Sequence, residues 1–424
     1  MSALFLLRTT ALAGLIAILF TAHTPSGVAN PILARWRSDA NYYYLESNGM
    51  PTHKMMVAIT ASQQQVPLPQ DFTGGNAFRI PRNPVFADKP ILAKNALFSG
   101  AIAVAINGVP IFNPIKNDGV TDTFLAGELD DFGGHCGRAD DYHYHIAPLH
   151  LVDTVGAANP IGYALDGFPL YGIAEIDGTT VTGLDAYNGH TYKGGSYHYH
   201  ATKAYPYVNG GLRGVVEVRN DAIYPQPVTA PVRPAGDPLR GARIVGFTWP
   251  APNRYSLEYS LNGERYFLNS SLGDGTYTFE AVDPAGRATT QTYNRPAPWP
   301  NLYSTNSTGL ATGYLTRVSN GQQTSEQFVR LNAGQAAALP IDLGPATDRV
   351  FLILYGSNLG AAATGTATVN GVTAPLLYAA PLSPFNGVAQ YNIEIPRSLA
   401  GAGKVDVAVT LNNRTSNPVN VTIR

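Results

Sequence analysis

The stretch YSLEYSLNGERYFL, residues 255–268, alternates apolar and polar side chains up to Leu261 and then passes through Asn-Gly into a second run, 265–268. Alternation with a period of two is typical of a β-strand with one buried face. Asn and Gly both tolerate the positive φ angles of a tight turn, so the stretch predicts a hairpin. Asn-Gly recurs at 107–108 and 370–371, each time between apolar runs. The sequence therefore predicts a mainly β protein with little helix.

Two proline-rich segments divide the chain of 424 residues. Proline lacks a backbone donor, and such runs interrupt regular structure. We predict four parts after the N-terminal leader: a β-rich metal-site domain over 30–223, a linker over 224–239, a small β-meander over 240–295, and a C-terminal domain over 301–424. Short strands at regular spacing in the last part, such as 349–355 and 405–409, predict an immunoglobulin-like β-sandwich.

The N-terminus has the pattern of an export signal. Arg8 precedes an apolar run over 11–22, and small residues follow up to Ala29. The run is shorter than the ~20 residues needed to span a bilayer, which favours a signal peptide over 1–29 with cleavage near Ala29. An uncleaved anchor is the alternative. We expect a secreted, periplasmic or cell-surface protein with no transmembrane segment after cleavage.

The charge balance excludes two classes of protein. Lys plus Arg number 28 and Asp plus Glu number 29, and charged residues make up 13% of the chain. A nucleic-acid-binding protein would show a basic face, and a disordered acidic chain would show a large net charge. We therefore expect a folded protein that does not bind nucleic acid.

Histidine is concentrated in one part of the chain. Seven of the nine histidines lie within residues 135–200, and the tetrapeptide Tyr-His-Tyr-His occurs at both 142–145 and 197–200. In a strand each tetrapeptide places two imidazoles on one face and two phenols on the other. If the two strands pair or face each other, four imidazoles meet at one point.

Neutral imidazole is a good ligand for zinc and copper. The pattern therefore predicts a metal centre, for copper or zinc, with four ligands and a nearby fifth candidate. The four ligands are His143, His145, His198 and His200, and the fifth candidate is His135. The alternative is a pair of aromatic strands whose imidazoles bond to the backbone and bind nothing.

Three further residues are candidates for supporting the site or contacting a substrate: Cys136, Arg138 and Asp166. Cys136 is the only cysteine, and it is a buried apolar residue, a reactive thiol or a group near the metal. Arg138 either holds an anionic substrate or forms a salt bridge with Asp140 or Asp141. Asp166 either orients a ligand imidazole or forms a turn before Gly167.

Several ordered motifs in this region resemble the YHYH-domain family. They are Gly133-Gly134-His135, residues 142–145, the run IGYALDGFPLYG at 161–172, and residues 197–201. The resemblance covers about 90–215 and implies an exported protein without naming a reaction. The last part carries DLGP at 342–345, YGS at 355–357, VNGV at 369–372 and IP at 395–396. With these motifs, residues 301–424 are similar to an immunoglobulin-like C-terminal domain of secreted proteins from soil bacteria, which implies an accessory or surface-attachment role.

Three functions stay open at this point. The first is an exported protein whose multi-histidine copper or zinc centre performs oxidase or hydrolase chemistry. The second is metal storage or delivery without turnover. The third is a surface adhesion or carbohydrate-binding protein with structural histidines, in contact with the cell envelope or a polysaccharide. The sequence does not decide whether the protein is an enzyme.

Overall fold

The computed structural model describes residues 34–60, 65–236, 239–273, 275–305, 309–332, 335–359, 362–382 and 387–424. The predicted signal peptide lies outside these residues. The prediction of a mainly β protein is confirmed. The one α-helix in the described part of the chain is the short α1, Leu151–Val155. None of the helices described there has the length and apolar character required to span a bilayer.

Fifteen strands make up the N-terminal part. They are β1 Arg35–Ser38, β2 Tyr42–Glu46, β3 Phe78–Pro81, β4 Phe86–Leu92, β5 Ala101–Ala105, β6 Pro110–Phe112, β7 Gly134–Cys136, β8 Tyr142–Tyr144, β9 Gly162–Ala164, β10 Pro169–Tyr171, β11 Gly189–Thr191, β12 Tyr197–His200, β13 Gly211–Gly214, β14 Glu217–Arg219 and β15 Ala222–Tyr224. Single turns of 3-10 helix cover Gly74–Asn76 and Ala93–Asn95.

An eight-stranded sheet carries both Tyr-His-Tyr-His segments. Its strand order is β11-β12-β10-β9-β5-β6-β8-β7. The pairs β6–β8 and β10–β12 are parallel, and the other neighbours are antiparallel. The β12 segment therefore lies near one edge of the sheet and the β8 segment near the other.

The two halves of this sheet repeat each other across the central pair β5–β9. In that pair Val104 lies opposite Tyr163, and Ala103 lies opposite Ala164. Outward from the centre, β6, β8 and β7 on one side correspond to β10, β12 and β11 on the other. The outer registers also correspond, because His135 faces His143 just as His190 faces His198. The fold therefore contains an approximate internal duplication of about 55 residues.

The second part is the five-stranded meander predicted from residues 255–268. Its strands are β16 Arg243–Ala251, β17 Arg254–Leu261, β18 Glu264–Leu272, β19 Thr276–Val282 and β20 Ala288–Asn294, paired in chain order. Asn262 and Gly263 both have positive φ at the β17–β18 turn, as a type I′ turn requires. Phe247, Tyr255 and Leu257 belong to the same apolar core as the N-terminal part. The domain boundaries drawn at the proline-rich segments stay a prediction.

The third part packs two sheets around a separate core. Its strands are β21 Asn301–Leu302, β22 Gly313–Ser319, β23 Gln322–Glu326, β24 Val329–Asn332, β25 Gln335–Ala338, β26 Arg349–Ser357, β27 Gly365–Val369, β28 Val372–Ala374, β29 Leu376–Pro381, β30 Ala389–Glu394, β31 Gly403–Leu411, β32 Arg414–Thr415 and β33 Val419–Ile423. Leu352 and Ile393 from one sheet share a core with Val407 and Val421 from the other. This arrangement is a β-sandwich, and its immunoglobulin-like character stays a prediction.

The hairpin predicted at Asn107-Gly108 forms with a different turn. Only Gly108 of the pair has positive φ, which fits a turn followed by a left-handed glycine rather than type I′. Asn107 instead uses its side chain. Its Oδ1 accepts from the Val109 N–H, and its Nδ2 donates to the Tyr144 hydroxyl at 3.1 Å. The turn thus contacts Tyr144, which stands between the candidate ligands His143 and His145 in the sequence.

Candidate metal centres

The histidines form two groups instead of one shared centre. The expected meeting of four imidazoles does not occur, because four strands separate β8 from β12 in the sheet. At ~4.8 Å between neighbouring strands, the two segments are on the order of 20 Å apart. The first histidine group is His135, His143 and His145, and the second histidine group is Glu175, His190, His198 and His200.

In the first histidine group three ring nitrogens converge. His145 Nε2 lies 3.1 Å from His143 Nε2 and 3.0 Å from His135 Nε2. Two nitrogens that each bind one ion at ~2.1 Å with a tetrahedral angle lie ~3.4 Å apart. The observed spacing is therefore close to that of ligands around one small ion.

The backbone determines which ring nitrogen of each imidazole carries the proton. In the first histidine group the Nδ1 atoms of His135, His143 and His145 lie 3.1, 3.0 and 2.5 Å from backbone carbonyl oxygens. A carbonyl oxygen only accepts, so each Nδ1 must carry a hydrogen and donate it. In the neutral ring the Nε2 atom is then an unprotonated acceptor.

The second histidine group has the same backbone pattern. Nδ1 of His190, His198 and His200 lies 3.0, 3.0 and 2.8 Å from the carbonyl oxygens of residues 182, 196 and 172. All six imidazoles therefore direct an Nε2 lone pair toward the centre of their group. Lone pairs at such short distances repel each other unless a cation lies between them.

Glu175 completes the second histidine group. Its carboxylate oxygens lie 3.2 Å from His190 Nε2, 3.5 Å from His200 Nε2 and 3.9 Å from His198 Nε2. Among the described residues, both oxygens and the three Nε2 atoms are buried without a hydrogen-bond partner. Buried polar groups are normally satisfied, and three imidazoles with one carboxylate fit a four-coordinate ion.

Comparison with known families recognises part of this duplicated sheet. Residues 77–180 match the family model described as YHYH protein. The resemblance stated from the sequence motifs is thus confirmed over this range. The matched range includes the first histidine group and Glu175 and ends before the second Tyr-His-Tyr-His segment. No curated protein and no solved structure matches the chain.

The tyrosines of the two Tyr-His-Tyr-His segments lie on the opposite face of the sheet from the imidazoles. Tyr142 and Tyr197 donate to Asp130 and Asp185 at 2.8 and 2.9 Å. A Cβ at Gly134, on the strand beside Tyr142, would collide with this ring. The phenols therefore anchor each strand in the core and hold the neighbouring imidazoles in place.

The Asp166 carboxylate forms a hydrogen bond with a tyrosine hydroxyl and not with an imidazole. Its Oδ2 accepts from the Tyr199 hydroxyl at 2.6 Å and from the Gly214 N–H at 2.8 Å. Its Oδ1 accepts from the Phe168 N–H at 3.3 Å, as in the predicted turn. The suggestion that Asp166 orients a ligand ring is wrong, because backbone carbonyls occupy that role.

Cys136 and Arg138 lie away from the imidazole cluster. Cys136 follows His135 in β7, so its side chain points to the opposite face, where it is buried in the apolar core. Burial raises the pKa of its thiol. Arg138 is exposed, and Asp140 is paired with Arg233 at 2.8 Å instead.

Sequence reasoning missed His190 and Glu175. The signal for His190 was present, because His135 precedes His143 by the same eight residues that separate His190 from His198. Glu175 had no such signal, since the corresponding position in the first half is Lys116. Only the duplicated fold brings this carboxylate to the imidazoles.

Burial keeps four of the six site imidazoles neutral. It lowers the pKa of His135 to about 4 and those of His143 and His145 well below the usual value. It also lowers the pKa of His200. Metal ligation requires the neutral ring, so these residues are in the ligand form at neutral pH.

The metal-free protein is expected to lose stability as the pH falls from about 6.5 to about 4. The unfolded chain takes up protons at an ordinary histidine pKa, whereas the folded imidazoles stay neutral, so unfolding is favoured in this window. Burial also raises the pKa values of four carboxyl groups, Asp71, Asp130, Asp141 and Asp166, with those of Asp130 and Asp141 reaching about 6, and these groups act in the opposite direction. The larger number of shifted histidines, including His53 with a pKa lowered to about 4, outweighs them.

Urea unfolding with chelator at several pH values measures this effect. One unit of pKa shift corresponds to about 1.4 kcal/mol, so a loss of a few kcal/mol is expected. A free energy of unfolding that stays constant or rises on acidification would contradict neutral buried imidazoles.

Replacing Tyr199 with Phe is expected to destabilise the fold by about 1–3 kcal/mol. The change removes the hydroxyl that donates to buried Asp166 and accepts from the Arg213 N–H at 2.7 Å. Denaturant unfolding gives the free energy directly. The matched control is Tyr192→Phe, whose hydroxyl contacts Asp177 at an exposed position, and a similar loss in both variants would count against a buried network.

Proposed function

We propose that this is an exported metal-binding protein with two multi-histidine centres for copper or zinc. The centres are the first and second histidine groups, at opposite ends of the eight-stranded sheet. The observation that carries the proposal is the orientation of six imidazoles, each with Nδ1 bound to a backbone carbonyl and Nε2 directed at the others.

The ligand types favour zinc or Cu²⁺. Imidazole nitrogen suits both ions, and Glu175 adds a carboxylate oxygen. A Cu(I) carrier would use sulfur ligands, but the chain has four methionines and one cysteine, and Cys136 faces away from the imidazoles. Zinc would polarise a bound water, and copper would supply redox chemistry, so hydrolase and oxidase activities both follow from the proposal.

The positions of the histidines support different roles for the N-terminal and C-terminal parts of the chain. All histidines precede residue 201, and residues 301–424 contain neither His nor Cys. The C-terminal sandwich therefore fits an accessory or attachment role. The N-terminal leader pattern, with Arg8 before an apolar run, supports export and therefore a location of the metal centres outside the cytoplasm.

Titration of the chelator-treated protein with Zn²⁺ and with Cu²⁺ tests the proposal. We expect two ions bound per chain, one for each group, with dissociation constants below about 1 µM, the range of dedicated protein sites. The control variant is His53→Gln, since His53 stacks on Phe132 outside both groups and its loss should not change the number of ions.

A protein that binds neither metal stoichiometrically would contradict the proposal. In that case the histidines are structural, and binding of the protein to insoluble polysaccharide would favour the adhesion alternative. Two bound ions without polysaccharide binding would favour the metal function.

A further inference from the structure

The two histidine groups differ at one position. Lys116 follows Phe112 by four residues, and Glu175 follows the corresponding Tyr171 by four residues. The local backbone is also equivalent. The N–H of Lys116 donates to the carbonyl of Thr121 and its carbonyl accepts from Gly119, while Glu175 has the same relation to residues 179 and 178.

The side chain of Lys116 is directed into an ion pair beside the first histidine group. Its Nζ lies 2.9 Å from Glu128 Oε1. The backbone carbonyl of Glu128 accepts from His135 Nδ1 at 3.1 Å. The chain position that carries the carboxylate in the second histidine group thus carries a lysine, paired with Glu128, in the first.

We propose that the second histidine group is a closed four-ligand site, whereas the first keeps an open coordination position that takes water or a small anion. This rests on the proposed function, because it assigns different roles to its two centres. Structural metal sites are usually closed, and reactive sites keep a position for water or substrate.

The charges of the two centres favour this division. A divalent ion bound by three neutral imidazoles keeps both positive charges, and the Lys116–Glu128 pair beside it adds no net charge. The Asp141 carboxylate lies 3.8 Å from His143 Nδ1, on the side of that ring away from the other imidazoles, and is not one of the ligands. In the second histidine group Glu175 neutralises one charge. The first centre therefore attracts an anion more strongly than the second.

The exposure of the surrounding side chains provides access to the first centre. The side chains of Lys116 and Glu128 are 33% and 17% exposed, whereas that of Glu175 is 1% exposed. An anion can thus approach the first histidine group along the ion pair. A substrate with a carboxylate or another small oxyanion group is the class that this position would accept.

Azide titration of the protein loaded with two equivalents of Co²⁺ tests the inference. Azide in an open position changes the visible spectrum of that cobalt ion. In the unaltered protein we expect azide to change the spectrum of one of the two ions. This measurement needs no variant and is independent of any enzymatic activity.

Two reciprocal variants test the role of the differing position. Glu175→Ala should open the second histidine group, so that azide changes the spectrum of both ions. K116E combined with E128Q should close the first, weakening azide binding by at least about tenfold. Lys193→Glu is the matched control, because Lys193 forms an exposed ion pair with Asp177.

The outcomes distinguish this inference from the proposed function. A protein that binds two cobalt ions but shows an azide response at both or at neither would overturn the open and closed assignment while leaving metal binding intact. A protein that does not bind cobalt, zinc or copper stoichiometrically would overturn both.

Discussion

Removing bound metal with EDTA is expected to lower the melting temperature of the N-terminal part by roughly 10 °C or more. Each ion that binds only the folded state at a hundredfold excess over its dissociation constant adds about 2.7 kcal/mol. Two sites therefore add about 5 kcal/mol, and 1 kcal/mol corresponds to about 2–4 °C in a domain of about 200 residues. Calorimetry with and without chelator measures the shift.

The C-terminal sandwich is an internal control for this experiment. Its core is separate from the core that contains the tyrosines of the two Tyr-His-Tyr-His segments, and the sandwich contains no histidine. Its transition should keep the same midpoint in EDTA. Equal shifts of both transitions would indicate a general effect of the chelator, and the absence of any shift would contradict metal stabilisation.

His145→Ala and His200→Ala are each expected to remove one of the two bound ions. Each change deletes an imidazole whose side chain is nearly fully buried and whose Nε2 faces the other ligands of its group. Loss of one of three or four ligands is severe, whereas the other group, on the order of 20 Å away, should keep its affinity because distant sites are usually independent. Metal analysis of the purified variants counts the ions.

The matched control for these variants is His150→Ala. His150 packs edge-on against His53 and Phe132 and is not in either group, so both ions should stay bound. If His145→Ala and His200→Ala each removed both ions, the centres would be interdependent. If neither variant lost metal, the ligand assignment would be wrong.

Local pattern was sufficient to predict much of the fold. The alternation in residues 255–261 and the Asn-Gly turn predicted the β17–β18 hairpin, because period-two burial and positive φ are decided within a few residues. The same reasoning predicted the hairpin at 107–108 but not its turn type. There the Asn107 side chain bonds to Tyr144, a residue far away in the sequence.

The site was predictable only in its local parts. The strand geometry of residues 142–145 correctly placed His143 and His145 on one face, away from the tyrosines. Whether two such strands meet depends on strand order, and the order separates β8 from β12. No local pattern encodes that order, so the single shared centre was wrong and Glu175 was missed.

The most direct test of the central claim is the metal content of the untagged protein isolated from its native host without chelators. Elemental analysis should find about two ions of copper or zinc per chain, one for each histidine group. Recovery of protein without stoichiometric copper or zinc, and unable to take up either metal afterwards, would contradict the account.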